Sequence, residues 1–503
     1  VDARGLEDRA VAFPVPAGRY RDLQTAPNGV WWLSEPLAGT LGAGRPSAAP
    51  PDRPTLHRWD FAKRTAGVIV DALDSYAVSG DGTRIVVRDG DSVLVLPADH
   101  KVEPSGESER VQVDLARIRV DLDPVAEWRQ MVAESWRLMR DHFWRADLGG
   151  VDWAAALARY LPLVDAAAVR DDVYDLIWEL QAELGTSHAY VMTPPSPPAP
   201  GTAQGLLGAD LGPDADGVWR VNRILPGDSS DPAARSPLRA AGVAAVAGDA
   251  VLSVGGVRVG ALGPAPLLAG AAESVVELEL RAPDAESSRR VAVLPVPDEE
   301  GLRYQAWVAG RRTSVDELSS GRVGYLHVPD MQALGWAQIH RDFRLAADRE
   351  AIVVDVRYNR GGHLSQLVVE RLARRVIGWD LGRYRAADSY PNQAPRGPIV
   401  FVANQWSGSD GDIVCAAARA MDIGPIIGVR TWGGVVGIDG RFALVDGTMV
   451  TQPRYATWME GFGFGLENYG VDPDIEVPFA PQDYARGADP QLERAVAEVL
   501  ELL

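Results

Sequence analysis

The stretch "NQWSGSDGDIVCAAARAM" (404–421) sets two serines and two aspartates within six positions, between an apolar run and a helix-like segment. Hydroxyls and carboxylates at a strand-to-helix junction serve one of two purposes. They cap the helix by accepting hydrogen bonds from its first N–H groups. Alternatively, a serine stands exposed as a nucleophile, beside backbone N–H groups free to hold an oxyanion. Ser407, Ser409 and Asp410 all suit a cap, so the turn alone leaves both readings open.

A second junction lies at "YNRGGHLSQ" (358–366). Gly361 and Gly362 let backbone N–H groups approach a ligand closely, or simply make a tight turn. In a parallel α/β sheet both junctions fall at the carboxyl edge, where sites form, so the two loops are expected to face each other. A serine nucleophile also needs a base and a group to orient that base. Seven histidines are available. His57 and His100 fall in strand-rich sequence, His142 on an aromatic helix, His327 in a strand, His340 in a helix and His363 just after the glycine pair. Only His188, in "TSHAY" (186–190), follows a helix end beside a hydroxyl, Ser187, that could orient its ring.

The elements that must position these groups follow from periodicity. Residues 310–503 alternate strands with helices: "GRVGYLHVPDM", "AIVVDVRYN" and "PIVFVAN" read as strands, "HLSQLVVERLARRVI" and "DGDIVCAAARAM" as helices. The near-continuous apolar strands point to a parallel sheet covered on both faces. Residues 121–195 read as helical. Trp128, Met131, Val132, Trp136, Met139 and Phe143 recur at helical spacing and form a core stripe; a second helix starts at Trp153, and a third spans 170–185 and ends in Gly185. "TPPSPPAPG" (193–201) is a proline-stiffened linker. Residues 203–298 are strand-rich, with "GDAVLSVGGVRV" a hairpin on a Gly-Gly turn. Residues 1–118 read as short strands between turns. A loose repeat near 55 residues, broken by the insertion "LAGTLGAGRPSAAPPDRP", suggests the last blades of a β-propeller.

Composition bounds the rest. A chain of 503 residues with 46% hydrophobic and 24% charged residues makes several globular domains. The formal charge of −19 argues against a nucleic-acid partner. No apolar run reaches the roughly 18 residues of a membrane span. A single cysteine, Cys415, excludes an intramolecular disulfide, fits a cytosolic protein and reads as a small buried residue. The start lacks a basic segment followed by an apolar one and reads as mid-protein, so the expectation is a C-terminal piece of something longer. No metal-ligand spacing appears, and no cofactor is expected; the "DPD" and "DGD" runs lack the spacing of an EF-hand.

"GTSHAY", "RYNRGGH", "NQWSGSDGDI", "RTWGGVVGI" and "ENYGVDPDIEV", in that order, resemble the core of tricorn protease and its bacterial homologues. "GLEDRAVAFPVPAGRY" resembles that family's propeller region just upstream. The resemblance implies a multidomain chain: the end of a propeller (1–118), a helical subdomain (121–195), a PDZ domain (203–298) and an α/β catalytic subdomain (310–503). Carried over, Ser409 is the nucleophile, His188 the general base, Ser187 the hydroxyl of a tetrad and Glu467 its carboxylate. Gly362 and Asp410 supply oxyanion donors, Gly361 and Asp380 bind substrate, and Asp380 in "IGWDLGR" favours a basic residue before the scissile bond. "GLLGADL" (205–211) resembles a loop whose free N–H groups hold a peptide C-terminus. The resemblance further implies a cytoplasmic homo-oligomer, a hexamer, that trims peptides and passes them to aminopeptidases, without nucleic acid or membrane.

A related plan, in carboxy-terminal processing proteases, pairs a serine with a lysine base. The chain's two lysines are Lys63 and Lys101, with none beyond, so that plan fails by composition and a histidine base is required. The alternative from another class is a catalytically dead propeller and PDZ scaffold that binds peptides. An intact set of Ser409, His188 and Glu467 argues against it.

Overall fold

The computed structural model describes residues 4–5, 13–36, 53–103, 107–194, 201–227 and 234–503. Most of the insertion at 37–54, of the linker at 193–201 and of the propeller-like motif at 5–20 up to residue 12 lies outside the described residues. The chain divides into two units, Val1–Leu122 and Asp123–Leu503.

The first unit holds two antiparallel sheets. One joins β1 (Arg19–Ala26), β2 (Gly29–Glu35), β3 (Thr55–Asp60) and β4 (Thr65–Val70) in that order; the other joins β5 (Ser75–Val78), β6 (Arg84–Asp89), β7 (Ser92–Pro97) and β8 (Val111–Val113). Period-two alternation sorts the side chains: in β6, Ile85 and Val87 are buried while Val86 faces out. Trp31, Leu56, Ile85 and Leu96 meet in one core, and Trp31 Nε1 donates to Ala98 O at 2.8 Å, so the indole buries without an orphaned polar atom.

The second unit opens with α1 (Pro124–His142), α2 (Trp153–Tyr160), α3 (Arg170–Ala182) and the short strand β9 (Val191–Met192). The Asp123 carboxylate accepts the Val125 and Ala126 N–H groups at 3.1 and 3.2 Å, with Pro124 opening the helix. Met131, Val132 and Met139 pack against Val173, Ile177 and Leu180 of α3, with Trp128, Trp136 and Phe143 at the margin. Helix α3 ends earlier than the expected 185: the N–H groups of Leu184 and Gly185 turn back onto Gln181 and Ala182 carbonyls.

A sheet of β10 (Ala209–Pro213), β11 (Trp219–Ile224), β12 (Ala250–Val254), β13 (Val257–Arg258), β14 (Val276–Arg281) and β15 (Arg289–Val293) follows. Its order is β10-β11-β12-β14-β15, with β13 hairpinned on β12 as expected from the Gly-Gly turn. Strand β15 is an addition that the sequence reading did not anticipate. Helix α4 (Glu300–Ser319) begins almost at once and runs through the boundary placed at 310.

The last region comprises β16 (Val323–His327), α5 (Ala333–Ala347), β17 (Ala351–Asp355), α6 (Ser365–Leu372), β18 (Gly378–Asp380), β19 (Asp388–Tyr390), β20 (Ile399–Ala403), α7 (Asp410–Ala420), β21 (Ile426–Gly428), β22 (Gly437–Asp439), β23 (Met449–Val450), β24 (Gln452–Tyr455), β25 (Ile475–Glu476), α8 (Pro481–Arg486) and α9 (Pro490–Glu501). Strands β16-β17-β20-β21-β25 form a five-stranded parallel sheet. Its alternating residues feed two cores. Leu326, Ile352, Val354 and Phe401 pack with Phe343, Val368 and Val414 of α5 to α7. Tyr325, Val353 and Val400 pack with Val315 and Val496 of α4 and α9. Both faces are covered, which explains why the strands read as apolar runs rather than alternating ones. Helix α6 stops at Leu372, short of the expected span, because Tyr390 O takes the Ile377 N–H and draws the chain into the β18–β19 hairpin. One long-range pairing matters for the site: β9 pairs with β23, and Leu444 and Val450 join the helical core.

Candidate functional site

Strands β17 and β20 are neighbours, with Asp355 opposite Val402, so the loops leaving their carboxyl ends lie side by side. Ser409 holds the N-cap position of α7 at φ 58° and ψ −118°, and its side chain makes no cap hydrogen bond. Such a conformation costs on the order of 1–3 kcal/mol in a non-glycine residue and persists only where its surroundings enforce it. Here they do. Buried Ser407 Oγ donates to Val356 O at 2.8 Å and accepts the Asn404 N–H at 3.1 Å. The Gly408 N–H donates to Asn359 O at 3.0 Å. The Asp410 carboxylate accepts the Ser365 N–H at 3.1 Å and its hydroxyl at 2.9 Å. Ser407 and Asp410 therefore spend their side chains on locking the turn, and the Ser409 hydroxyl is left over.

The glycine pair is equally constrained. The Gly361 N–H donates to Asn359 Oδ1 at 2.9 Å, while Asn359 Nδ2 donates to Val328 O at 2.7 Å. The Gly361 N–H is thus engaged, which removes it from the donors expected to face a ligand. Gly362 passes so close to Met331 that a β-carbon would come within 2.1 Å of Met331 O. Among the described residues no acceptor takes the N–H of Gly362 or of Asp410, the first residue of α7.

His188 has φ 61° and is buried. Ser187 Oγ lies 2.8 Å from His188 Nδ1 and donates to Glu467 Oε2 at 3.1 Å. Because the carboxylate takes the hydroxyl's one proton, Nδ1 must be the donor to Ser187 Oγ, which leaves Nε2 as the basic nitrogen. Further donors converge on Glu467: Thr186 Oγ1 and the Ser187 N–H on Oε1 at 3.1 and 2.6 Å, and the Val435 and Val436 N–H groups on Oε2 at 2.8 and 3.1 Å. Thr451, next to β23, donates its hydroxyl to His188 O at 2.6 Å and accepts the Tyr190 N–H at 2.8 Å, so the β9–β23 pairing sets the backbone of the histidine. Burial lowers the His188 pKa and the Glu467 charge partly restores it, so the surroundings favour the neutral ring. Trp432 connects the two sides. Its ring stands edge-on to His188 with centroids 5.4 Å apart, and a β-carbon on Gly408 would come within 2.7 Å of it.

Three family models match this chain: the Tricorn protease C1 domain over 124–182, the Tricorn protease PDZ domain over 205–298 and Peptidase family S41 over 322–477. Tricorn protease homolog 1 of Streptomyces coelicolor is 55% identical over 506 residues, covering 100% of this chain and 47% of that protein. The chain belongs to the tricorn protease family. Tricorn protease of Thermoplasma acidophilum is 31% identical over 504 residues, covering 100% of this chain and 46% of that protein. The fold agrees: a crystal structure of the tricorn protease superposes with a TM-score of 0.87 at 32% identity, covering 97% of this chain and 47% of that one. The chain thus spans about half the length of the relatives it matches.

Against the tricorn pattern, the structure gathers Ser409, Gly361, Gly362 and Asp410 at one sheet edge, and Ser187, His188 and Glu467 in one hydrogen-bonded relay. It does not join Asp380 to either group. Asp380 ends β18, exposed and in register with Asp388 across the hairpin, and its carboxylate makes no ion pair or hydrogen bond among the described residues. The PDZ loop departs from expectation. Three of its N–H groups are already engaged: Gly205 donates to Leu268 O, Leu206 to Val296 O, and Gly208 to the buried Glu299 carboxylate at 2.7 Å. Arg303 grips the other Glu299 oxygen at 2.7 Å. An internal carboxylate thus sits where a peptide C-terminus was expected.

The sequence reading passed over Asn359, Thr186, Trp432, Thr451 and Asp412. Asn359, Thr186, Trp432 and Asp412 carried a signal only as polar or aromatic residues inside motifs already noted, and Thr451 lay outside them all. The remaining six histidines have other surroundings. His57 stacks on Trp32, His100 bridges Asp99 and Glu109, His142 stacks on Phe442, buried His327 meets Tyr304, His340 meets Arg371, and His363 is exposed. Among the described residues no group of three or more His, Cys, Asp or Glu could hold a metal ion, and no helix is long and apolar enough to cross a membrane.

Proposed function

We propose that this chain hydrolyses peptide bonds as a serine peptidase, with Ser409 as nucleophile, His188 as general base, and Ser187 and Glu467 as the groups that orient and charge-balance the base. One observation carries the reading: the unbonded Ser409 hydroxyl, forced to positive φ at a helix start, in a turn that packs on Trp432, whose ring also stands against a histidine tied through Nδ1 and Ser187 to Glu467. His188 Nε2 takes the Ser409 proton as Oγ attacks the peptide carbonyl. The Gly362 and Asp410 N–H groups receive the oxyanion, a contribution of roughly 3 kcal/mol per donor. His188 then protonates the leaving amine, and water, deprotonated by the same ring, releases the acyl group. Glu467 stabilises the imidazolium through the Ser187 hydroxyl.

The remaining assignments rest on the family. Asp380 selects a basic residue before the scissile bond, and Gly361 shapes the substrate-facing loop as backbone rather than as a donor. The two meander sheets of the first unit are blades of a β-propeller. The protein works as a cytoplasmic homo-oligomer, a hexamer, trimming peptides for aminopeptidases, and no cofactor enters the chemistry. The intact relay favours this over a dead peptide-binding scaffold. The test is labelling with a fluorophosphonate probe of wild type, Ser409→Ala and His188→Ala. Modification at Ser409 that is lost in both variants supports the assignment; folded wild type that stays unlabelled defeats it.

A further inference from the structure

The chemistry above leaves Asp412 unused. It lies one turn into α7, three residues after Ser409, and is fully buried. Its Oδ1 accepts the Gly433 N–H at 2.8 Å and its Oδ2 the Gly434 N–H at 3.4 Å. The next two N–H groups, of Val435 and Val436, go to Glu467 Oε2 at 2.8 and 3.1 Å. Consecutive N–H groups of one irregular loop are therefore shared out between two carboxylates. One carboxylate belongs to the nucleophile's helix and the other to the relay of the base. The same loop contains Trp432, whose N–H donates to Ser407 O at 3.1 Å and whose ring stands against His188.

A segment without strand partners needs acceptors for its buried N–H groups, and whichever groups supply them decide where it sits. We propose that Asp412 is a positioning residue that fixes the 432–436 loop from the side of Ser409 and thereby sets the distance between the nucleophile and the Glu467–Ser187–His188 relay. This rests on the peptidase reading. Stability alone does not explain a carboxylate at this position. Burial pushes the Asp412 pKa up to about 6, and among the described residues no arginine or lysine pairs with it. The charged form is therefore disfavoured where it stands, yet it supplies two acceptor atoms at the spacing of adjacent N–H groups. An asparagine keeps one acceptor for Gly433 and turns an amide N–H₂ against the Gly434 N–H.

The test uses the full 503-residue chain. Asp412→Ala and Asp412→Asn are compared with wild type for the rate of fluorophosphonate acylation, for kcat and KM on a fluorogenic peptide, and for melting temperature. The expected result is a fall in acylation rate and kcat on the order of 100-fold for alanine and a smaller fall for asparagine, with KM within about threefold of wild type and a single cooperative melt lowered by only a few degrees. A misplaced nucleophile behaves this way; a general loss of structure does not. Acylation near the wild-type rate in folded Asp412→Ala overturns the proposal, and so does a change confined to KM. Loss of the fold in both variants also overturns it and makes Asp412 a structural residue. Wild type that fails to label removes the peptidase reading and this proposal together. Wild type that labels through Ser409 and His188, while Asp412→Ala matches it, removes the positioning role alone.

Discussion

Gly361 lies against Ser409 so closely that a β-carbon on the glycine would come within 2.4 Å of Ser409 Cβ, and its φ of 73° already lies in the left-handed region. Ser409 and the loop facing it are therefore one object. Gly361→Ala is expected to displace Ser409 and lower kcat on the order of 100-fold, with a stability loss of about 1–3 kcal/mol. Single-turnover acylation and thermal melts check this. Normal acylation would mean that the turn relaxes without moving the hydroxyl.

His188, the proposed base, should titrate below its ordinary value. Burial lowers the His188 pKa and Glu467 raises it, and the reacting form is the neutral ring. Reactivity should therefore rise with pH along a limb centred below about 6.5. Glu467→Gln removes the raising charge, so the limb moves to lower pH still, while the plateau falls roughly 100-fold or more. A limb that moves upward in this variant contradicts the assigned relay.

The PDZ-like sheet should not capture peptide C-termini while Glu299 occupies Gly208. In a Ser409→Ala background, which prevents turnover, free-acid and amidated forms of one peptide should bind alike. Adding Glu299→Ala exposes the Gly208 N–H and releases the Arg303 Nε and Nη2, leaving Nη1 on Asp210, so the free acid should then bind more tightly, by roughly tenfold for one regained charge-assisted bond. Isothermal titration measures both. A free-acid preference already present with Glu299 in place would show that the loop has another open donor.

Asp380→Asn should lower kcat/KM for peptides with Arg or Lys before the scissile bond by about 10- to 100-fold, and leave apolar peptides nearly unchanged. An unchanged ratio would leave Asp380 as a surface carboxylate of the β18–β19 hairpin.

Much of this was legible along the chain because it is local. Apolar runs such as "AIVVD" and "IVFVA" became buried parallel strands, and the polar turn after the second became the start of α7. The lysine distribution alone excluded a lysine base beyond residue 101. Where the reading slipped, a distant partner intervened: Tyr390 shortened α6, and Glu299 filled the PDZ loop.

The sequence by itself therefore determined the layer architecture, the polar turn at the start of α7 and the lack of any lysine beyond Lys101. These depend on periodicity, on turn chemistry and on which side chains exist at all. Only the tertiary structure decided which serine stays unbonded, that Ser187 meets Glu467 from 280 positions away, that Thr451 sets the backbone of His188, and that Asp412 and Glu467 hold one loop between them. Each of these is a hydrogen bond between groups with no sequence relationship. Such bonds form where packing of the helical layer against the parallel sheet leaves a buried donor and an acceptor within 3 Å or so, and buried polar groups must be paired.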